Sequence, residues 1–131
     1  MTAITDQNFD EEVMKCELPV FACFITRSCQ SCYPTCRFAD QLVVKYEGRV
    51  KFVRVDIEKN PEVAARYQVV AVPTILLFHG SKLLRKALGF KERASLRQML
   101  SSFVGEEGLP KQNQEWIQRT NVAVSRPMNV D

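Results

Sequence analysis

Val20-Phe21-Ala22-Cys23-Phe24-Ile25 is an unbroken apolar run, entered through Pro19. A run this short, rich in β-branched and aromatic residues, is a strand buried on both faces rather than one with a wetted side. Such a strand needs helices above and below its sheet, so the segment points to an α/β arrangement. Even extended back to Leu18, it is far shorter than the ~20 apolar residues that cross a bilayer.

The rest of the chain supplies the layers. Asn8-Phe9-Asp10-Glu11 reads as a capping box opening a short helix towards Cys16. Ala39, Leu42, Val43 and Tyr46 recur at helical spacing and end near Gly48, while Val50 to Asp56 alternates as a second strand. Asn60-Pro61-Glu62 offers an N-cap, a first-turn proline and an acid, starting a helix that runs to about Tyr67. Thr74 to Phe78 and Leu83 to Leu88 are strands joined by a turn at Gly80, hence an antiparallel hairpin. Leu96, Met99, Leu100 and Phe103 form a last helical stripe closed by Gly105. Early strands separated by helices must be parallel, so the sheet is mixed, with helices on both faces.

With 46% hydrophobic and 25% charged residues in 131, the composition is that of one folded domain and excludes a disordered or collagen-like chain. The net charge of +3 is too mild to imply nucleic acid. Lys82, Arg85, Lys86, Lys91, Arg93 and Arg97 read as a solvated outer face. Met1 to Asp10 has neither the basic nor the apolar region of a secretory leader, so a cytoplasmic protein without a membrane segment is expected. Residues 1–107 are expected to form the domain. Residues 108–131 are a polar C-terminal tail, loosely ordered or partly docked through Trp116, Ile117, Val122 and Val124, with a short helix around Gln114 to Arg119.

Five cysteines stand at positions 16, 23, 29, 32 and 36, and none follows. A stapled secreted scaffold spreads its cysteines along the chain; clustering of this kind marks a redox or metal site. Cys29-Gln30-Ser31-Cys32 falls where the buried strand gives way to a helix. There the helix N-terminus stabilises a thiolate on the first cysteine, and the second, one turn on, can close a disulfide with it. One sulfur can then attack a substrate disulfide and the other resolve the mixed disulfide.

Together with Tyr46-Glu47-Gly48, Val53-Arg54-Val55-Asp56, Asn60-Pro61, Val72-Pro73-Thr74, Ile75-Leu76-Leu77-Phe78 and Gly89, this motif makes the segment from Asn8 to Val104 resemble the thioredoxin family. The resemblance implies a thioredoxin fold and a protein thiol–disulfide oxidoreductase. Cys29 is then the nucleophile, Cys32 the resolving thiol, Pro73 a cis proline beside them, and the Val72 backbone a strand-like partner for an extended substrate. It further implies that the dithiol carries the electrons with no bound cofactor or metal. The partners would be disulfide-containing proteins and a dithiol/disulfide reductase, and the protein a monomer.

The departures from the family pattern bear on rate and potential. Ser28 stands where the family usually has tryptophan, so a flat apolar docking rim is expected to be missing, and Gln30-Ser31 replaces Gly-Pro. Cys23 occupies the place of the family's buried aspartate, Arg54 that of an accompanying lysine, and Arg37 that of a helix-bending proline. Cys23, Arg54 and Cys36 are therefore expected to modulate the dithiol. Cys23 and Cys36 read first as small thiols filling core space, and Cys16 as inert or partly exposed. At four-residue spacing on a helix, Cys36 cannot bridge to Cys32, because Cβ atoms ~5–6 Å apart exceed the ~3.5–4.5 Å a disulfide needs. Two alternatives stay open: a metal site ligated by Cys23, Cys29, Cys32 and Cys36, and a redox-silent module that uses the fold's groove for binding. His79 reads as a solvent-facing turn residue.

Overall fold

A computed structural model describes residues 1–104 of the chain; the expected tail, the residues around Trp116 and the helix-closing Gly105 lie outside them. Five strands form a single sheet: β1 (Thr2–Ile4), β2 (Val20–Ile25), β3 (Lys51–Asp56), β4 (Thr74–His79) and β5 (Lys82–Leu88). Their spatial order is β1-β3-β2-β4-β5. The first three are parallel, β4 runs antiparallel to β2, and β5 runs antiparallel to β4. Three α-helices join them: α1 (Cys32–Lys45), α2 (Pro61–Arg66) and α3 (Arg93–Phe103).

The central strand behaves as its composition requires. Phe21 and Cys23 face one core, packed with Ala39, Leu42 and Tyr46 at α1 and Leu96, Met99 and Leu100 of α3. Val20, Ala22 and Phe24 face the other, with Phe9, Val13, Val63 and Ala64. Alternation of side chains along the strand assigns them to the two layers. The mixed sheet covered on both faces is the expected thioredoxin fold. Gly80 and Ser81, at φ +60° and +68°, turn β4 into β5 as a two-residue hairpin of the I′ kind demands. No helix among the described residues is long and apolar enough to cross a membrane.

Three local expectations are corrected. β1 was not foreseen: three residues at the sheet edge, of which only Ile4 is buried, carry no readable period. The capping box does not form. The Asn8 side chain accepts the Thr5 N–H at 2.8 Å, closing the turn before the helix. The helix is a single π-helical turn, Asp10–Met14, in which the Lys15 N–H reaches the Asp10 carbonyl at 3.0 Å. Nor does the Asn60 side chain cap α2. It instead accepts the Asp6 N–H at 2.9 Å and donates to the Asp56 carbonyl at 3.1 Å. The cap comes from Asp6, whose carboxylate accepts the Glu62 and Val63 N–H groups at 3.2 and 2.9 Å.

Candidate active site

Beyond Ile25 the chain leaves the sheet, and the Cys29 N–H bonds back to the Thr26 carbonyl at 3.3 Å. Helix α1 begins at Cys32, so Cys29 stands three residues ahead of the helix and faces its N-terminus. The two cysteines form a disulfide with Cα atoms 5.3 Å apart. Cys32 is buried at 2% exposure, whereas Cys29 is partly exposed. Serine at the N-cap makes no side-chain cap bond; the Cys32 N–H points instead at the Cys29 sulfur, 3.0 Å away, and the Ser31 hydroxyl lies 3.5 Å from the same sulfur. In the reduced form these donors and the positive end of α1 favour a thiolate at Cys29. One sulfur faces solvent and the other waits behind it.

Because β4 runs antiparallel to β2, pairing Phe24 with Thr74, the start of β4 lies at the sheet end where β2 stops. Val72-Pro73 immediately precedes it, and its peptide bond is cis, as the resemblance implied. The Pro73 carbonyl accepts the Gly89 N–H at 2.8 Å, and the Lys91 N–H donates to the Thr35 hydroxyl at 3.2 Å. These bonds carry the segment after β5 across to α1. A glycine suits the bend, since Gly89 has φ +87°. The segment brings exposed Leu88 and Phe90 to this end of the molecule, Phe90 stacking edge-on against Phe38 of α1. Tyr33, directly after Cys32, is 69% exposed. An apolar rim is therefore present despite Ser28. Tyr33 was legible as a candidate from its place beside Cys32; Phe90 was not, because it comes from the far side of the sheet.

A cleft of about 280 Å³ opens beside the disulfide, lined by Cys29, Cys32, Tyr33, Cys36, Asp40 and Arg54 among others. Arg54, paired in register with Cys23 across β2 and β3, is held at the cleft by a bond from its guanidinium to the Met1 carbonyl. Cys36 departs from its expected role as a buried filler: it is only half-buried, on the cleft wall, with its sulfur 3.8 Å from that of Cys23. Cys23 is fully buried behind it. The contact divides the two thiols. The hydrogen bond to Cys36 and burial push Cys23 up, while the same hydrogen bond, helped by Arg54 and the chain's amino group, draws Cys36 down.

The remaining candidates lie apart. Cys16 is partly buried against the other core. His79 ends β4, opposite the disulfide, and is half-buried rather than solvent-facing. Burial lowers its pKa, partly offset by a backbone bond at Glu17. Among the described residues, no three His, Cys, Asp or Glu side chains converge on a point that could hold a metal ion. The cysteines associate in twos, Cys29 with Cys32 and Cys23 with Cys36.

Comparison with known proteins agrees with this geometry. The family model described as Thioredoxin matches residues 1–102. Thioredoxin 1 of a Nostoc species is 31% identical over 97 residues, covering 74% of this chain and 91% of its own. A thioredoxin of a Synechocystis species is 29% identical over 101 residues, covering 77% and 94%. The bifunctional thioredoxin reductase/thioredoxin of Mycobacterium leprae is also 29% identical over 101 residues, which are 77% of this chain and 22% of that protein. A match of this extent, meeting a cysteine pair joined at the strand-to-helix turn, makes the chain a member of the thioredoxin family and a thiol–disulfide oxidoreductase.

Proposed function

We propose that the protein reduces disulfides in partner proteins through Cys29 and Cys32. The observation that carries this reading is the asymmetry of the pair: a partly exposed sulfur supported by a helix N–H, and a buried one bonded to it. In the dithiol form the Cys29 thiolate attacks one sulfur of a substrate disulfide, whose S–S bond breaks and releases a substrate thiolate. Cys32 then attacks Cys29, the mixed disulfide breaks, and the second substrate thiol leaves. Two electrons have passed to the substrate, and Cys29–Cys32 is again a disulfide.

Val72 offers backbone groups to an extended substrate strand at the end of β4, with Pro73 holding the turn, and Tyr33 and Phe90 supply apolar contact. Arg54, Cys36 and Cys23 tune the resolving step. Cys23, its pKa raised, keeps its own proton and is a poor acceptor for that of Cys32. No cofactor or metal is needed, because the dithiol itself carries the electrons. A dithiol/disulfide reductase recharges it, a reading supported by the Mycobacterium leprae relative that unites both activities by name. The protein works as a monomer in the cytoplasm, a compartment in which a thiol such as Cys16 stays reduced.

Cys32→Ser tests the assignment. Incubated with a disulfide-containing protein such as insulin, it is expected to accumulate a mixed disulfide at Cys29 that peptide mapping identifies. Recovery of the adduct at Cys36 or Cys16 instead, or no adduct while the wild type reduces insulin, overturns the assigned roles.

A further inference from the structure

Cys23 and Cys36 approach one another from different layers of the molecule. Cys23 lies in the middle of β2 and Cys36 one turn into α1, thirteen residues on, with their sulfurs 3.8 Å apart. A disulfide requires ~2.05 Å between sulfurs, so rotation about the two Cα–Cβ bonds has under 2 Å to close. The exposure of the two differs as in the first pair: one sulfur on the cleft wall, one sealed in the core.

We propose that Cys23 and Cys36 are a second redox-active dithiol, which hydroperoxides entering the cleft oxidise to an intramolecular disulfide. The oxidising equivalents do not come from Cys29–Cys32. The direct step along α1, a Cys32–Cys36 bond, is forbidden by the four-residue spacing while the helix is intact, and the chain lacking the first pair tests the remaining routes. Nor can a folded protein disulfide easily reach Cys36, half-buried in a cleft of about 280 Å³. A small peroxide can.

The Cys36 thiolate attacks the outer peroxide oxygen. The O–O bond breaks, the alkoxide or hydroxide leaves and takes up a proton, and Cys36 becomes a sulfenic acid. Cys23 then attacks the Cys36 sulfur, the S–O bond breaks, and the departing hydroxide takes the Cys23 proton to leave as water. Each cycle oxidises two thiols and reduces one peroxide. The lowered pKa of Cys36 supplies the attacking thiolate, and Arg54 on the same cleft wall stabilises the charge leaving on oxygen.

The experiment uses the full chain with Cys29–Cys32 already oxidised, which leaves Cys16, Cys23 and Cys36 as the free thiols. Hydrogen peroxide is added at stoichiometric amounts, and thiols are counted by alkylation under denaturing conditions and located by peptide mapping. The expected result is a fall from three free thiols to one, with Cys23 linked to Cys36 and Cys16 still alkylated. Cys36→Ser should stay at two. The Cys29→Ser/Cys32→Ser chain should still form the link, which separates this proposal from the assignment of the first pair. Three thiols surviving, Cys36 reaching the sulfinic acid with Cys23 still free, or Cys16 being consumed in its place overturns the proposal.

Discussion

Helices α1 and α2 start alike and are finished differently. Each opens at one end of a short connection from the sheet, and in neither does the N-cap side chain satisfy the exposed N–H groups. At α2 a carboxylate from Asp6, more than fifty residues away in sequence, closes the end with two hydrogen bonds. At α1 the first N–H is turned towards the Cys29 sulfur. The same backbone property, uncompensated donors with a positive dipole end, is used once for stability and once to hold a reactive sulfur. The difference lies in which partner the fold delivers: a fixed anion in one case, an atom whose charge changes with redox state in the other.

If that division holds, changes at the two helix starts should separate activity from stability. The largest effect is expected at α1: Cys29→Ser should lower insulin reduction on the order of 10³-fold or more. Its melting temperature should stay close to that of the reduced wild type. Comparable residual turnover in this variant would place the chemistry elsewhere.

Next in size is Asp6→Ala. Removing a helix cap costs about 1–2 kcal/mol, which for a domain of this length lowers the melting temperature by several degrees. Turnover at a temperature where the variant is folded should be unchanged. Asp6→Asn, which keeps an acceptor, should recover much of the loss. A fall in activity without a fall in stability would merge the two roles that the structure separates.

A smaller change is expected from Tyr33→Ser or Phe90→Ser, on the rim rather than at the sulfur. Loss of one exposed aromatic contact should raise KM for a protein substrate about threefold to tenfold and leave kcat nearly unchanged. Steady-state kinetics with a protein and with a small disulfide distinguishes docking from chemistry, since only the former should suffer.

The smallest effect belongs to His79, at the sheet end away from the disulfide. Burial lowers its folded pKa below the ordinary ~6.5 of the unfolded chain. Below that value the unfolded state binds the proton more readily, so stability falls as pH drops through the histidine range and is fully regained above ~6.5. Chemical denaturation from pH 7.5 to 5.5 should show a shallow decline, flatter in His79→Gln, with no change in the pH dependence of insulin reduction.

The periodicities and turn residues were legible because they report local physics. Val20 to Ile25 declares two buried faces, Gly80 a hairpin, Leu96, Met99 and Leu100 one stripe, and Cys29 and Cys32 a redox pair at a strand-to-helix turn. Elsewhere local signals were outcompeted. Asn8 and Asn60 both have the right chemistry for an N-cap, yet each side chain finds another partner, Thr5 in the preceding turn and Asp6 across the fold. A short polar side chain that can bond several backbone groups does not announce which one it will meet.

The dithiol, the parallel direction of the early strands and the hairpin thus follow from neighbours along the chain, whose spacing converts directly into a face or a turn. The Asp6 cap, the Phe90 rim and the Cys23–Cys36 contact join residues from separate elements. A period says which way a side chain points, but not which atom stands opposite. Cys23 and Cys36 each read as core filler when taken singly. Only the packing of α1 on β2 sets their sulfurs 3.8 Å apart, Cys36 on the wall of a cleft and Cys23 buried behind it, because the distance between a strand and a helix depends on every side chain between them.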